Sequence, residues 1–120
     1  MTNVLDMSVV EELLSFADDG DPELLIDLIQ MFLEDGPAKV QSITQGLDEG
    51  DLEKVERAAH SLKGTSGNLG ARILQDSCEA MQIASRNHVI ADVRVIAPQI
   101  VTAYADAEVA LRGLLKSYQQ

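Results

Sequence analysis

The sequence predicts an all-α fold, an antiparallel four-helix bundle with a short additional N-terminal helix. Apolar residues recur at steps of three or four along most of the 120 residues, which is the spacing of one helix face. No segment alternates with a period of two, and no Asn-Gly or Asp-Gly pair joins two β-branched runs as a hairpin would. Short turn signals separate the helical patterns, and the length suits a single domain spanning residues 1–120.

The first predicted helix is short. Ser8 is followed three residues later by Glu11, the spacing of a capping box, so we expect Ser8 to cap the helix that follows it. It should run to about Phe16, and Asp18-Asp19-Gly20 should end it. We expect this helix to act as a cover on the bundle.

The second predicted helix is long. Asp21 is placed to be its N-cap, and Pro22 to be its first helical residue. Gly36-Pro37 interrupts the apolar pattern without shifting its phase, so we expect one kinked helix rather than two. Asp48-Glu49-Gly50 should close it. The apolar face comprises Leu25, Ile29, Phe32, Gly36, Val40, Ile43 and Leu47.

The third predicted helix runs from about Leu52 to Asn68, with Asp51 as its cap and glycines at its C-terminal end. Its apolar face, which we expect to be buried, comprises Leu52, Val55, Ala59, Leu62, Ser66 and Leu69. A second face of this helix, at the same steps, carries Arg57, His60, Lys63, Gly64 and Gly67.

That second face is unusual for a solvated one, because each helical glycine weakens a helix by about 1 kcal/mol relative to alanine. Without a Cβ, Gly64 and Gly67 would let the backbone of another protein come close to His60. A histidine, a cation one turn later and a bare patch beside them therefore indicate a site onto which a partner docks.

Two further helices complete the predicted bundle. The fourth runs from about Ala71 to Arg86, with Asn87-His88 as the turn that follows it. The fifth is capped by Asp92, reaches about Lys116 and should be kinked near its start by Pro98. The buried face of the fourth helix should comprise Leu74, Cys78, Met81 and Ala84, and its polar face Gln75, Glu79, Gln82 and Arg86. The apolar stripe of the fifth comprises Val93, Ile96, Ile100, Tyr104, Ala107, Leu111, Leu114 and Tyr118.

The composition excludes several function classes. A net charge of −11 argues against binding to nucleic acid and to anionic membranes. One cysteine rules out an internal disulfide, and the absence of a signal peptide or a long apolar run predicts a soluble, cytoplasmic protein. The charge is uneven, since residues 54–86 carry five cations and three acids, a net +2, which leaves −13 for the remainder. An anionic group would be tolerated best in that stretch.

The motif in the third helix resembles a known family. His60-Ser61-Leu62-Lys63-Gly64, followed by Ser66-Gly67-Asn68-Leu69-Gly70, is similar to the motif of the histidine-containing phosphotransfer (HPt) family of two-component phosphorelays. Ala58-Ala59 and the Gly50-Asp51 helix start also look like that family. The resemblance implies a helical bundle that relays a phosphoryl group. The motif lies on the third predicted helix of such a bundle.

The resemblance also implies roles for individual residues. His60 would be phosphorylated on Nε2 by a receiver-domain aspartate or a kinase, and would pass the group to the aspartate of a response regulator. Lys63 matches the lysine of the family that lies beside the phosphoryl group, and Gly64 matches the glycine that lets the receiver approach. Gln82 and Arg86 fall, by counting, where the family places a glutamine and an arginine. Arg57 and Gly67 are candidates for the docking rim.

The expected partners are the receiver domains of a hybrid sensor kinase and of a response regulator. No dense carboxylate cluster accompanies His60, so Mg²⁺ would come with the receiver and the chain would need no cofactor of its own. No Walker-type nucleotide motif is present, so we expect no ATP site and no autonomous catalytic activity. We expect a monomer.

Other functions remain as alternatives. A metal-dependent enzyme is poorly supported, because His60, Cys78 and His88 are scattered along the chain. A helical module that docks receivers or other signalling proteins without transferring phosphate is the more serious alternative. The phosphorylated N-terminal domain of a chemotaxis-type kinase would share both the bundle and the histidine.

Overall fold

A computed structural model describes residues 4–16 and 21–119. Within those ranges it contains helices and no strand, which confirms the all-α prediction. The helices, in chain order, are α1 (Met7–Ser15), α2 (Glu23–Glu49), α3 (Leu52–Asn68), α4 (Arg72–Arg86) and α5 (Ile90–Gln119). Helix α3 packs between α2 and α4, and α5 closes the bundle by packing on α4 and α2, while α1 lies against α2.

The core lies between the four long helices and is built from the apolar faces that the periodicity predicts. The apolar stripes of α2, α3, α4 and α5 are buried or partly buried along their full length. The largest fully buried side chains include Phe32, Ile43, Leu62, Met81, Ile100 and Leu111. Removal of this apolar surface from water is the main favourable contribution to folding. No helix among the described residues is both long and apolar enough to cross a membrane.

The predicted capping box at the start of α1 is wrong. The helix begins at Met7, and Asp6 is its N-cap, because the Asp6 carboxylate accepts hydrogen bonds from the Ser8 backbone N–H at 3.1 Å and from the Ser8 hydroxyl at 2.6 Å. These bonds, and Arg72 beside it, lower the pKa of Asp6 below its usual value. The helix ends at Ser15, and the expected stop at residues 18–20 lies outside the described residues.

Helix α2 begins at Glu23, one residue later than predicted, although the Asp21 carboxylate still accepts a hydrogen bond from the Glu23 N–H at 3.0 Å. It continues without a break through Pro37, which confirms a single helix. Gly36 is required by packing, since a Cβ there would overlap the buried ring of Tyr104. The Tyr104 hydroxyl donates to the Phe32 carbonyl oxygen at 3.1 Å and fastens α5 to α2.

The boundaries of α3 agree with the prediction, including the Asp51 cap, whose carboxylate accepts from the Lys54 N–H at 3.0 Å. The prediction that Asp92 caps the last helix is wrong, because α5 already begins at Ile90. His88 adopts the left-handed conformation with φ of 57°, and the Val89 N–H then donates to the Ala84 carbonyl at 2.9 Å. This reversal lets the next helix begin at once. The kinks at Pro37 and Pro98 stay predictions.

Candidate functional site

The candidate site lies on the face of α3 that points away from the core. Val55, Ala59 and Leu62 are fully buried, so the helical repeat directs His60 outward, and His60 is exposed. The motif residue that the sequence singled out is therefore accessible to another protein.

Gln82 of α4 lies directly beside His60. Its amide nitrogen is 3.0 Å from the Nδ1 atom of the imidazole. The sequence places Gln82 on the polar face of α4, yet the residue is buried, with only 6% of its surface exposed. Its position on a helical wheel is at the boundary between the two faces, and packing of α3 against α4 covers it. The same packing brings it to the histidine, so Nε2 is the ring nitrogen that remains for a partner.

The Gln82 amide can pair with either tautomer of His60. When its nitrogen donates to Nδ1, the proton of a neutral imidazole is on Nε2, and the Gln82 Oε1 atom is buried without a hydrogen-bond partner among the described residues. When the amide is turned by 180°, Oε1 accepts from an Nδ1–H group, and Nε2 then carries the lone pair. A nucleophilic Nε2 needs the second arrangement.

Two ion pairs flank the histidine. The Lys63 ammonium lies 2.8 Å from the carboxylate of Glu79, and the Arg86 guanidinium lies 2.9 Å from the carboxylate of Glu56. The hydrogen bond and charge of Lys63 lower the pKa of Glu79, so this carboxylate is ionised near neutral pH. Sequence reasoning missed both acids, because their pairing depends on how α3 and α4 are aligned.

Together these contacts form three cross-helix pairs, which we call the α3–α4 ladder: Glu56–Arg86, His60–Gln82 and Lys63–Glu79. The α3 members are four and then three residues apart, and the α4 members three and then four, so each set lies on one helix face. The two helices run in opposite directions, and the pairs therefore match in reverse order. The histidine occupies the middle pair, with one ion pair on each side.

The cationic excess of residues 54–86 is compensated in space. Each of its five cations lies within ion-pairing distance of a carboxylate: Lys54 with Glu49, Arg57 with Glu53, Lys63 with Glu79, Arg72 with Asp6 and Arg86 with Glu56. Three of these acids come from outside the stretch. The ladder thus pairs its two cations with two carboxylates, and the expectation that an anionic group is tolerated best in this stretch stays a prediction.

The two glycines of the motif differ in their surroundings. A Cβ at Gly64 would meet nothing within 4 Å, so this surface, one turn beyond His60, is open to a partner. A Cβ at Gly67 would lie 2.6 Å from the Nε2 atom at the flexible end of the Gln75 side chain, so this surface is partly covered by α4. Arg57 is exposed and lies 3.6 Å from Glu53. Docking by Arg57, Gly64 and Gly67 stays a prediction.

The other residues considered as metal ligands lie apart from His60. Cys78 is buried in the core, and burial raises the pKa of its thiol to about 12. His88 is exposed at the turn between α4 and α5. In residues 4–16 and 21–119, no three His, Cys, Asp or Glu side chains are grouped so that they could hold a metal ion.

The model of one protein family matches residues 27–117, which is most of the chain and includes the whole ladder; the family is the Hpt domain. The chain belongs to the Hpt domain family. The family resemblance drawn from the motif is thus confirmed.

Curated relatives and solved structures agree with this membership. The Hpt domain is 29% identical over 79 residues to multistep phosphorelay regulator 1 of Schizosaccharomyces pombe, covering 66% of this chain and 27% of that protein. It is 30% identical over 70 residues to histidine-containing phosphotransfer protein 2 of Arabidopsis thaliana, covering 56% of this chain and 45% of the relative. The aligned part thus spans less than half the length of these relatives.

Two solved structures share the fold. Histidine-containing phosphotransfer protein B of Pseudomonas aeruginosa PAO1 superposes with a TM-score of 0.87 at 24% identity, covering 98% of this chain and 99% of that one. A histidine-containing phosphotransfer protein of Medicago truncatula gives 0.79 at 20% identity, covering 98% and 80%. At these identities the likeness concerns the fold, and it supports the helical bundle of this Hpt domain.

Proposed function

We propose that this Hpt domain is a histidine phosphotransfer intermediate in a two-component phosphorelay. His60 accepts a phosphoryl group from a receiver-domain aspartate, or from a kinase, and passes it to the aspartate of a response regulator. The observation that carries the proposal is an exposed His60 whose Nδ1 atom is held by the buried amide of Gln82. Family membership, and relatives named for phosphorelay and phosphotransfer, support the same function.

The transfer begins with the tautomer that has its proton on Nδ1. The lone pair of Nε2 attacks the phosphorus of the aspartyl phosphate, the Nε2–P bond forms and the O–P bond breaks. The bonding electron pair stays on the receiver carboxylate, and the imidazolium then loses its Nδ1 proton to water. Gln82 would accept from Nδ1–H before the attack and, with its amide turned, donate to the bare Nδ1 afterwards. Onward transfer is the reverse of these steps.

Phosphoryl transfer passes through a loose, in-line transition state, so the protein contributes mainly position and charge. Gln82 holds the imidazole plane, which reduces the orientations that Nε2 must sample. Lys63 and Arg86 are the cations of the ladder and can offset phosphoryl charge. The receiver would bring Mg²⁺, which neutralises charge on the transferring group. The open surface at Gly64 would admit the backbone of the receiver.

We also propose the partners, the oligomeric state and the cellular location of this Hpt domain. The partners would be receiver domains of a hybrid sensor kinase and of a response regulator, the chain would act as a monomer, and the location would be the cytoplasm. The open surface at Gly64 and the charge of −11 are the features that support a protein partner over a nucleic acid.

The first experiment is incorporation of acid-labile phosphate. The chain is mixed with a panel of phosphorylated receiver domains and Mg²⁺, beside His60→Gln and, as a matched control, His88→Gln. We expect label on the wild type and on the His88 variant but not on the His60 variant. Label that survives in the His60 variant would move the acceptor elsewhere. Receiver binding without label on any protein would favour the docking module.

A further inference from the structure

Lys63, the cation one turn from His60, is already engaged by an acid. Its ammonium and the Glu79 carboxylate are 2.8 Å apart, and the lysine side chain is only 29% exposed. The pair spans α3 and α4, so it is held by the packing of two helices rather than by one flexible segment. In the ladder, Glu79 and Gln82 are neighbours on one face of α4, and Gln82 touches the imidazole.

A phosphoryl group on Nε2 would compete with that acid. Such a group carries nearly two negative charges near neutral pH, and Lys63 lies one helical turn away from it. If Lys63 turns to the phosphoryl group, it gives up its hydrogen bond to Glu79. If Lys63 serves both groups, the carboxylate and the phosphoryl group are brought together and repel each other. In either case Glu79 reduces the stabilisation that Lys63 provides.

We propose that Glu79 is a positioning residue that competes with the phosphoryl group for Lys63 and so lowers the stability of phospho-His60. The inference rests on the proposed phosphotransfer function and adds a residue to it. Competition of this kind suits an intermediate, because a phosphohistidine that is stabilised too strongly would retain the group instead of passing it on. The transfer chemistry is unchanged; only the equilibrium between aspartyl phosphate and phosphohistidine shifts.

The chain offers a closely matched control pair. Lys54 and Glu49 are 3.1 Å apart, and their side chains are 29% and 53% exposed, against 29% and 54% for Lys63 and Glu79. The control pair connects α3 to the end of α2, and neither of its members belongs to the ladder. Glu49→Gln therefore removes the same charge from an equivalent pair elsewhere.

The test measures the equilibrium constant for phosphoryl exchange between one receiver and the chain, with the wild type, Glu79→Gln, Glu79→Asp and Glu49→Gln. We expect Glu79→Gln to raise the equilibrium constant toward phosphohistidine about two- to fivefold, which is the range that the free energy of an exposed ion pair gives. Glu79→Asp should stay within about 1.5-fold of the wild type, because it keeps the competing carboxylate. Glu49→Gln should do the same, because an exposed ion pair away from the phosphoryl group contributes little.

A double-mutant cycle separates competition from simple repulsion. In a Lys63→Ala background, the effect of Glu79→Gln on the free energy of phosphoryl exchange should fall to less than half of its value in the wild type. The reason is that no lysine is left for the removal of Glu79 to release. An unchanged equilibrium in Glu79→Gln, or an equal effect in both backgrounds, would overturn the inference while leaving phosphotransfer intact. Failure of the wild type itself to take up phosphate would instead refute the proposed function on which the inference rests.

Discussion

Replacement of Gln82 by leucine separates the positioning of His60 from the stability of the bundle. Leucine has a similar volume and fills the same buried place, but it cannot hydrogen-bond to the Nδ1 atom of His60. In either amide orientation one end of the Gln82 amide is buried without a hydrogen-bond partner among the described side chains and backbone, so its removal also relieves a polar group that burial disfavours. The substitution should therefore act on the chemistry and not on folding.

The expected magnitudes follow from one hydrogen bond. A net hydrogen bond contributes about 0.5–1.5 kcal/mol, which corresponds to a two- to tenfold slower transfer to and from His60. The free energy of unfolding should stay the same or rise by about 1 kcal/mol, because an unpaired buried polar atom is lost. Gln82→Glu should keep acceptance from the receiver near the wild-type rate, since a carboxylate also accepts from Nδ1–H. It should not slow onward transfer, because a bare Nδ1 facing the carboxylate destabilises phospho-His60, and the carboxylate favours the return of the proton to Nδ1 that makes the imidazole a good leaving group.

Rapid-quench kinetics with one phosphorylated receiver gives the transfer rates, and urea unfolding gives the stability. Gln75→Leu is the matched control, because this glutamine is on the same helix, two turns before Gln82, and hydrogen-bonds to Arg72 rather than to His60. The reasoning would be refuted if Gln82→Leu transferred phosphate at the wild-type rate. It would also be refuted if the slower transfer came with a matching loss of stability.

Three further predictions concern the bundle itself. Gly36→Ala should destabilise the protein by roughly 1–3 kcal/mol in urea unfolding, because its Cβ would overlap the buried Tyr104 ring; an unchanged midpoint would contradict this packing. His88→Gly should raise the free energy of unfolding by about 1 kcal/mol, since glycine adopts the left-handed conformation of this turn more readily, and a decrease would count against it. Asp6→Ala should destabilise α1 above about pH 4, and thermal melts should show the difference shrinking as the pH falls through the lowered pKa of Asp6; a difference that persists in acid would contradict that linkage.

Some elements were predictable because both of their ends carry local signals. The bounds of α3 follow from the Asp51 cap and from Gly67 and Gly70 at its C-terminal end, and its buried face follows from a 3.6-residue repeat. The same repeat fixed the outward direction of His60. These features depend on neighbouring residues in the chain, and the sequence contains all of the information that they need.

Other features depend on contacts that no local pattern specifies. The start of α5 was misplaced because His88 adopts a conformation for which glycine would have been the signal. The burial of Gln82 does not follow from its place on the polar face of α4, because α3 covers the residue. The pairing of Lys63 with Glu79 requires the relative alignment of α3 and α4, which spacing along one helix does not give.

The most direct test of the account is to identify the nitrogen that carries the phosphoryl group. Long-range ¹H–¹⁵N NMR of the chain, after phosphorylation by a receiver, distinguishes the two ring nitrogens of His60. We predict phosphorus on Nε2, because the Gln82 amide occupies Nδ1 at 3.0 Å and the exposed side of the ring is left to the partner. Phosphorus on Nδ1, or on a residue other than His60, would contradict the central claim.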